Sequence, residues 1–328
     1  MSVALTRSRF TNALRCYGNY ALSRFGLVRI THMPTFVSVE PANVCQLKCP
    51  ACPVGLRNNV ITELRNKERL MSREVWLRVL SEIRETAHTI QFYFQGEPLL
   101  HPELPQMIRE AHEVGLYTIV STNAQALTQE RAEALVASGL NRIIISMDGL
   151  TEESYNAYRV GGSLDKTKAA LGYLREAKKL SPLTNNHSPL IELQCLQLRT
   201  NEREWSEFKR VYKELGADRL VFKTAQLYDY ANGHPLMPSD PRYSRYTKGT
   251  DGLYHRKNLG CGCLRVWSGV VVTTNGDVLP CCYDKSHAYA YGNIMTTPLK
   301  ELFANDKARA FRKAAMHEQP EICKECWK

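Results

Sequence analysis

From residue 35 onward, short runs rich in β-branched and aromatic residues alternate with helical patterns, and this alternation limits the folds open to the chain. A strand followed by a helix followed by a strand returns the chain parallel to itself, so the repeat predicts a largely parallel sheet covered by helices. The predicted strands are Thr35 to Glu40, Thr89 to Gln95, Tyr117 to Thr122, Arg142 to Met147, Leu190 to Leu198 and Arg219 to Thr224. Six such repeats make a partial barrel or an open sheet. Between them, Pro102 is suited to a first helical turn, Thr128 can cap a helix that Gly139 ends, and Gly216 closes one running from Glu202. The run from Glu74 to Glu85 is expected to bury Leu77, Leu80 and Ile83 on one face.

Residues 229–262, with three prolines and several tyrosines, break the pattern and read as a linker crossing the mouth of the first domain. Beyond it, Val270 to Thr274, Asn275-Gly276 and Val278-Leu279 predict a hairpin with a type I′ turn. A helical stretch from Leu299 to His317 then leads to the last two cysteines. The expected organisation is a basic N-terminal extension (1–34), an α/β core (35–228), the linker (229–262) and a small cysteine-rich α+β domain (263–328).

The chain has 328 residues, 44% of them hydrophobic, enough for one large core with an appendage. No stretch approaches the roughly 20 apolar residues of a membrane-spanning helix, and no secretory signal is evident, so a cytoplasmic protein is expected. The formal net charge of +10 suits an anionic substrate, an acidic electron donor or a membrane surface, but is too diffuse to argue for nucleic acid. The first 39 residues hold five arginines and no acid, interleaved with Phe10, Leu14, Tyr20 and Leu22. They read as a basic amphipathic helix at an anionic membrane, a transit peptide, or a helix that simply closes one end of the core.

The eleven cysteines cluster at CxxxCxxC (Cys45, Cys49, Cys52) and again after position 260. In an intracellular chain such grouping points to metal ligation rather than disulfides. Three closely spaced thiolates can hold a four-iron cubane while leaving one iron free for a small molecule. The competing reading is a zinc knuckle, which wants a fourth ligand, and the nearest histidine, His32, precedes the strand. Cys16 and Cys195 fit ordinary packed thiols. Ligands of parallel α/β folds gather at the carboxyl ends of strands. There stand the CxxxCxxC loop, Gly96-Glu97-Pro98, Thr122-Asn123 and Ser146-Met147-Asp148-Gly149.

With these motifs in this order, the chain resembles the radical S-adenosylmethionine (radical SAM) superfamily over roughly residues 35–228. The resemblance implies a partial (β/α)6 TIM-like barrel and an enzyme that cleaves S-adenosylmethionine reductively to a 5′-deoxyadenosyl radical, which abstracts a substrate hydrogen. It assigns the SAM-binding [4Fe-4S] cluster to Cys45, Cys49 and Cys52, and places Gly96, Glu97 and Pro98 beside the methionine moiety. Ser146, Thr122 and Asn123 would face cofactor or substrate, although a plain strand-end cap also accounts for Ser146. The family usually has an aromatic residue before the third cysteine. Here it is Ala51, so adenine stacking would come from elsewhere.

Cys263, Gly276, Cys281 and the closing Cys323-x-x-Cys326 resemble the auxiliary-cluster region of the SPASM/Twitch group, which implies one auxiliary [4Fe-4S] cluster on four thiolates. From spacing alone an all-thiolate zinc site competes, and Cys261 or Cys282 could exchange with a neighbour as ligand. Such a cluster would carry electrons, and a flavodoxin- or ferredoxin-type protein would supply them. Sulfatase-maturing relatives have a carboxylate just after the cysteine matching Cys281. This chain has Cys282, leaving Asp284 as the nearest general base against the plainer reading of a turn residue.

No HExxH, GxSxG or GxxxxGK motif is present, and the nine histidines are scattered. The single auxiliary cluster, with too little chain before strand one for a peptide-binding winged helix, points to oxidation or dehydrogenation of a small molecule or carbohydrate. A SPASM-type peptide or protein maturase is the alternative, and a non-catalytic iron-sulfur or zinc scaffold a third reading.

Overall fold

The computed structural model describes residues 6–56, 69–181, 189–257, 260–324 and 326. The strands are β1 (Phe36–Val39), β2 (Thr89–Phe92), β3 (Tyr117–Thr122), β4 (Arg142–Ser146), β5 (Leu190–Gln197), β6 (Arg219–Thr224), β7 (Tyr246–Lys248), β8 (Tyr254–Arg256), β9 (Gly269–Val272), β10 (Asp277–Leu279) and β11 (Gly292–Asn293). The helices are α1 (Arg7–Ser23), α2 (Arg73–Ile83), α3 (Leu104–Glu113), α4 (Gln129–Ala137), α5 (Glu152–Asn156), α6 (Leu164–Leu180), α7 (Trp205–Val211), α8 (Arg265–Ser268), α9 (Leu299–Ala304), α10 (Asp306–His317) and α11 (Glu321–Lys324). The fold is mixed α/β with largely parallel strands, as the alternating pattern predicts. Two compact units share it: residues 1–44, 59–119 and 259–328 form one, 45–58 and 120–258 the other.

In the first unit the strands run in the order β11-β10-β9-β1-β2. β1 is parallel to both neighbours, so that Val37 lies between Ile90 and Val270, and Val39 between Phe92 and Val272. Its residues Val37, Ser38 and Val39 are buried, as for a strand covered on both faces. Ser72 caps α2, which buries Val75, Trp76, Val79, Leu80 and Ile83. Leu77, expected in this core, is 45% exposed because at about 100° per residue it falls outside the buried stripe, on the solvent side of the helix.

The predicted hairpin is present as antiparallel β9 and β10, but its turn is not type I′. Of Asn275 and Gly276 only the glycine has positive φ, at 88°, and the Gly276 amide donates to Thr273 O at 3.0 Å. This is a type I turn followed by a left-handed glycine, the other common hairpin solution. The stretch from Leu299 to His317 is two helices, since the Asn305 side chain accepts the Ala308 amide and starts α10 anew.

In the second unit β4, β5 and β6 are parallel, with Ile143 opposite Ile191 and Cys195 opposite Phe222. Thr128 caps α4 and Gly139 (φ 79°) stands just past it, as expected, whereas the helix expected from Glu202 to Gly216 is the shorter α7, Trp205–Val211, and Gly216 (φ 100°) lies five residues beyond its end. The stretch read as a linker holds the antiparallel β7–β8 hairpin. Tyr246 is buried there, its hydroxyl bonded to both the amide and the carbonyl of Leu227. Among the described residues, no helix is long and apolar enough to cross a membrane.

Candidate active site

The second unit contains the CxxxCxxC loop. Its backbone turns on itself through Cys52 N to Cys49 O (3.1 Å) and Leu56 N to Cys52 O (2.8 Å), while Lys48 N donates to Val160 O (2.9 Å). Gly55 is required where it stands, since a Cβ there would lie 2.3 Å from the Cys49 carbonyl oxygen. The sulfurs are met by donors. Leu47 N and Asn123 Nδ2 each lie 3.4 Å from Cys45 Sγ, and Gln46 Nε2 fixes Asn123 through its Oδ1 at 3.1 Å. Asn123, a residue expected to face cofactor or substrate, thus meets the first cysteine.

Cys49 is backed by an ion pair that the sequence did not announce. Arg159 Nη1 lies 4.0 Å from Cys49 Sγ, and its Nε donates to Asp148 Oδ2 at 2.5 Å. Asp148 is fully buried, takes the Leu196 amide on its other oxygen at 2.6 Å, and has its carbonyl held by Asn201 Nδ2 at 2.8 Å. Burial alone would lower the Arg159 pKa, but Asp148 and then Cys49 more than offset it, so the pKa is raised and the guanidinium stays charged. Burial likewise pushes the Cys49 thiol up, and Arg159 opposes the shift. Asp148 was visible in the SMDG motif; Arg159, outside every motif, carried no signal.

Cys49, Leu47 and Ala51 belong to an apolar cluster with Tyr158, Leu198, Ala225, Leu227, Leu236, Met237 and Tyr246, against which Cys45, Cys52, Tyr230 and Tyr254 also pack. The Tyr230 and Tyr246 rings stack at 4.2 Å. The loop that lacks an aromatic at Ala51 is therefore lined by tyrosines from the stretch after β6. Thr122 is buried and spends its Oγ1 on the Ala124 amide at 2.9 Å, and Ser146 is buried at the end of β4.

In the first unit the Gly96-Glu97-Pro98 turn is fastened to the residues just before Cys45. Glu97 N donates to Val44 O at 2.8 Å, and Gly96 (φ 63°) approaches so closely that a Cβ would lie 2.3 Å from Ala42 O. Glu97 Oε1 accepts the Leu99 amide at 3.1 Å and so caps the turn that opens with Pro98. Nearby, Glu40 is completely buried. Burial raises its carboxyl to about 7, against the Thr274 amide and the charges of His287 and Lys285.

The C-terminal cysteines also lie in this unit. Burial pushes the Cys281 thiol far up, and the charges of Cys282, Cys323 and Cys326 all reach it and add to the shift. Cys282, Cys323 and Cys326 are thus within electrostatic reach of Cys281, and Tyr283 N donates to Cys281 Sγ at 3.4 Å. Cys263 is half-buried two residues before α8, while exposed Cys261 lines a cleft with Arg24, Met316 and His317. Asp284 is fully buried, its two oxygens accepting the Ala288 (2.8 Å) and Tyr289 (2.9 Å) amides.

Among the described residues no three His, Cys, Asp or Glu side chains converge on a point for a single metal ion. A cubane binds its thiolates at separate corners, and soft sulfur ligands with N–H donors aimed at them are the donor set it takes. The residues present fit that group.

Residues 39–187 match the model of the radical SAM superfamily, and residues 261–327 match that of SPASM, an iron-sulfur cluster-binding domain. The chain belongs to the radical SAM superfamily, in its SPASM-bearing group. It is an enzyme that uses S-adenosylmethionine, a [4Fe-4S] cluster and auxiliary iron-sulfur chemistry. Among its relatives, a PqqA peptide cyclase of Streptomyces rochei is 28% identical over 89% of this chain and 81% of its own. Another, of Rhodopseudomonas palustris, is 34% identical over 63% of this chain and 52% of its own, about half its length. Of solved structures, Streptococcus suis SuiB bound to S-adenosylmethionine superposes with a TM-score of 0.66 over 96% of this chain and 76% of that one, at 15% identity. BtrN in complex with AdoMet and 2-DOIA gives 0.53 over 90% and 94%, at 18% identity. These two likenesses are of fold.

Proposed function

We propose that this radical SAM enzyme modifies a peptide, and that the small-molecule oxidation expected from the sequence gives way to this reading. The observation that carries it is similarity to PqqA peptide cyclases across 89% of the chain. The SAM-binding cluster would be held by Cys45, Cys49 and Cys52, and the auxiliary cluster by Cys263, Cys281, Cys323 and Cys326. When bound, the cluster and S-adenosylmethionine supply a one-electron cleavage that yields a hydrogen-abstracting radical.

The chain's own residues do the positioning. Leu47 N and Asn123 Nδ2 hold the Cys45 sulfur, and Arg159 with Asp148 fixes a charge against Cys49. Gly96 admits close backbone approach, and Glu97, with Ser146 and Thr122, would bind the cofactor or substrate. The apolar cluster with its tyrosines keeps water from the loop. Asp284 has both oxygens on backbone amides, and in this reading it shapes the turn after Cys281.

The test is to incubate anaerobically reconstituted enzyme, S-adenosylmethionine and dithionite with a randomised peptide library and, separately, with a panel of amino sugars. A peptide reaction gives deoxyadenosine in step with peptides that have lost two hydrogens. Turnover of the sugars with untouched peptides sinks the proposal.

A further inference from the structure

Helix α1 is amphipathic the wrong way round for a helix that only covers a core. Its buried positions are Arg9, Asn12, Cys16, Asn19 and Ser23, at spacings of three and four, and four of the five are polar. They are held by hydrogen bonds rather than apolar contact. Arg9 donates to the carbonyls of Gly115, Val114 and Arg84, at 2.6, 2.5 and 2.7 Å. Asn12 donates to Met33 O and Thr86 O, and Asn19 bonds to the ring of His32.

The apolar residues point outward. Phe10, Leu14 and Tyr17 recur at i, i+4 and i+7 and are 49, 56 and 59% exposed; Phe25 and Leu27, just past the helix, are 84 and 54% exposed. On the 100° wheel, Arg7 and Arg24 flank this stripe on its two sides, while Arg15 lies about 100° beyond Leu14 toward the buried face; all three are exposed. No acid occurs in residues 1–39. Arg7 and Arg15, with Lys300, also line an open cleft of about 1070 Å³ beside α1, whose wall includes Ser8, Thr11 and one acid, Glu301.

We infer that the outward face of α1 is a docking surface for an anionic phospholipid membrane. Aromatic and leucine side chains would enter the boundary of headgroups and acyl chains while the flanking arginines meet lipid phosphates. A protein partner or a second copy could use the apolar stripe, but the net cationic border, on a segment with no acid in residues 1–39, complements a uniformly anionic surface best. The inference is independent of the substrate reading above.

It is tested by flotation of the full-length, cluster-loaded enzyme with vesicles of phosphatidylcholine alone or with phosphatidylglycerol added. Binding is expected only to the anionic vesicles, with release at about 1 M salt, where the Debye length shrinks to about 3 Å. A triple variant, Phe10→Ser/Leu14→Ser/Tyr17→Ser, and a double variant, Arg7→Gln/Arg15→Gln, should each weaken binding by about tenfold or more. Both should retain deoxyadenosine formation, since the changed side chains are exposed. No flotation with anionic vesicles overturns the inference. So does flotation that the serine variant leaves unchanged, which would reflect overall charge alone. A wild-type dimer by sedimentation, broken by the serine variant and indifferent to vesicles, assigns the face to a second copy instead.

Discussion

Arg159 places a permanent cation 4.0 Å from the Cys49 sulfur, with Asp148 as its counter-ion. A positive charge there favours the more negative, reduced state of a cluster on that thiolate, so the pair should tune its potential. Arg159→Gln is expected to lower the midpoint potential of the SAM-binding cluster by roughly 60 mV, a tenfold change in a one-electron equilibrium. Asp148→Asn should raise it, because the guanidinium stays and its counter-charge goes. Redox titration followed by electron paramagnetic resonance reads both, and shifts of the same sign would defeat the charge account. Glu40 offers a test in stability. Its carboxyl titrates at about 7 when folded against 4.5 in its ordinary state, so the unfolded chain holds fewer protons between these values. Stability therefore falls as pH rises through that window. Glu40→Gln should be more stable than the parent by up to about 3 kcal/mol above pH 7, with the difference shrinking toward pH 4.5. Urea unfolding at several pH values measures it.

At the scale of elements, α10 is held by an unusual bolt. Arg312, fully buried, donates from Nε to Val266 O at 2.9 Å and from Nη1 to Phe303 O at 2.7 Å, and lies 4.1 Å from the Phe303 ring centroid. Burial lowers its pKa, with the aromatic faces of Trp267 and Tyr291 also around it. Lysine cannot reproduce two planar donors in fixed directions. Arg312→Lys should therefore cost about 3 kcal/mol in denaturant unfolding, and a loss near zero would show that the fork is not what matters. Neither this bolt nor the inverted burial of α1 follows from hydrophobic periodicity. That periodicity also misplaced Leu77 and joined α9 to α10 across the Asn305 cap.

For the molecule as a whole, the two cysteine groups belong to different units, so their clusters should assemble separately. Cys49→Ala should remove about four irons of about eight and abolish deoxyadenosine, while the auxiliary cluster's spectrum persists. Iron analysis with absorption spectroscopy decides, and loss of all iron would refute separate assembly. Strand identities, the strand-end motifs and the first cysteine group were legible because local spacing encodes them. The place of β9 beside β1 was not, since strand pairing at a separation of more than 200 residues leaves no trace in a short window.

What the sequence by itself determined is the class of chemistry: three thiols at cluster spacing after a strand, the GEP and SMDG motifs at later strand ends, and more thiols near the end. These are local patterns, and local spacing is what the chain writes directly. The tertiary structure decided the setting of that chemistry. It put Arg159 and Asp148 behind Cys49, brought Cys323 and Cys326 to Cys281, lined the cluster loop with distant tyrosines, and turned the polar side of α1 inward. Each depends on contacts between residues far apart in the chain, whose partners only folding selects.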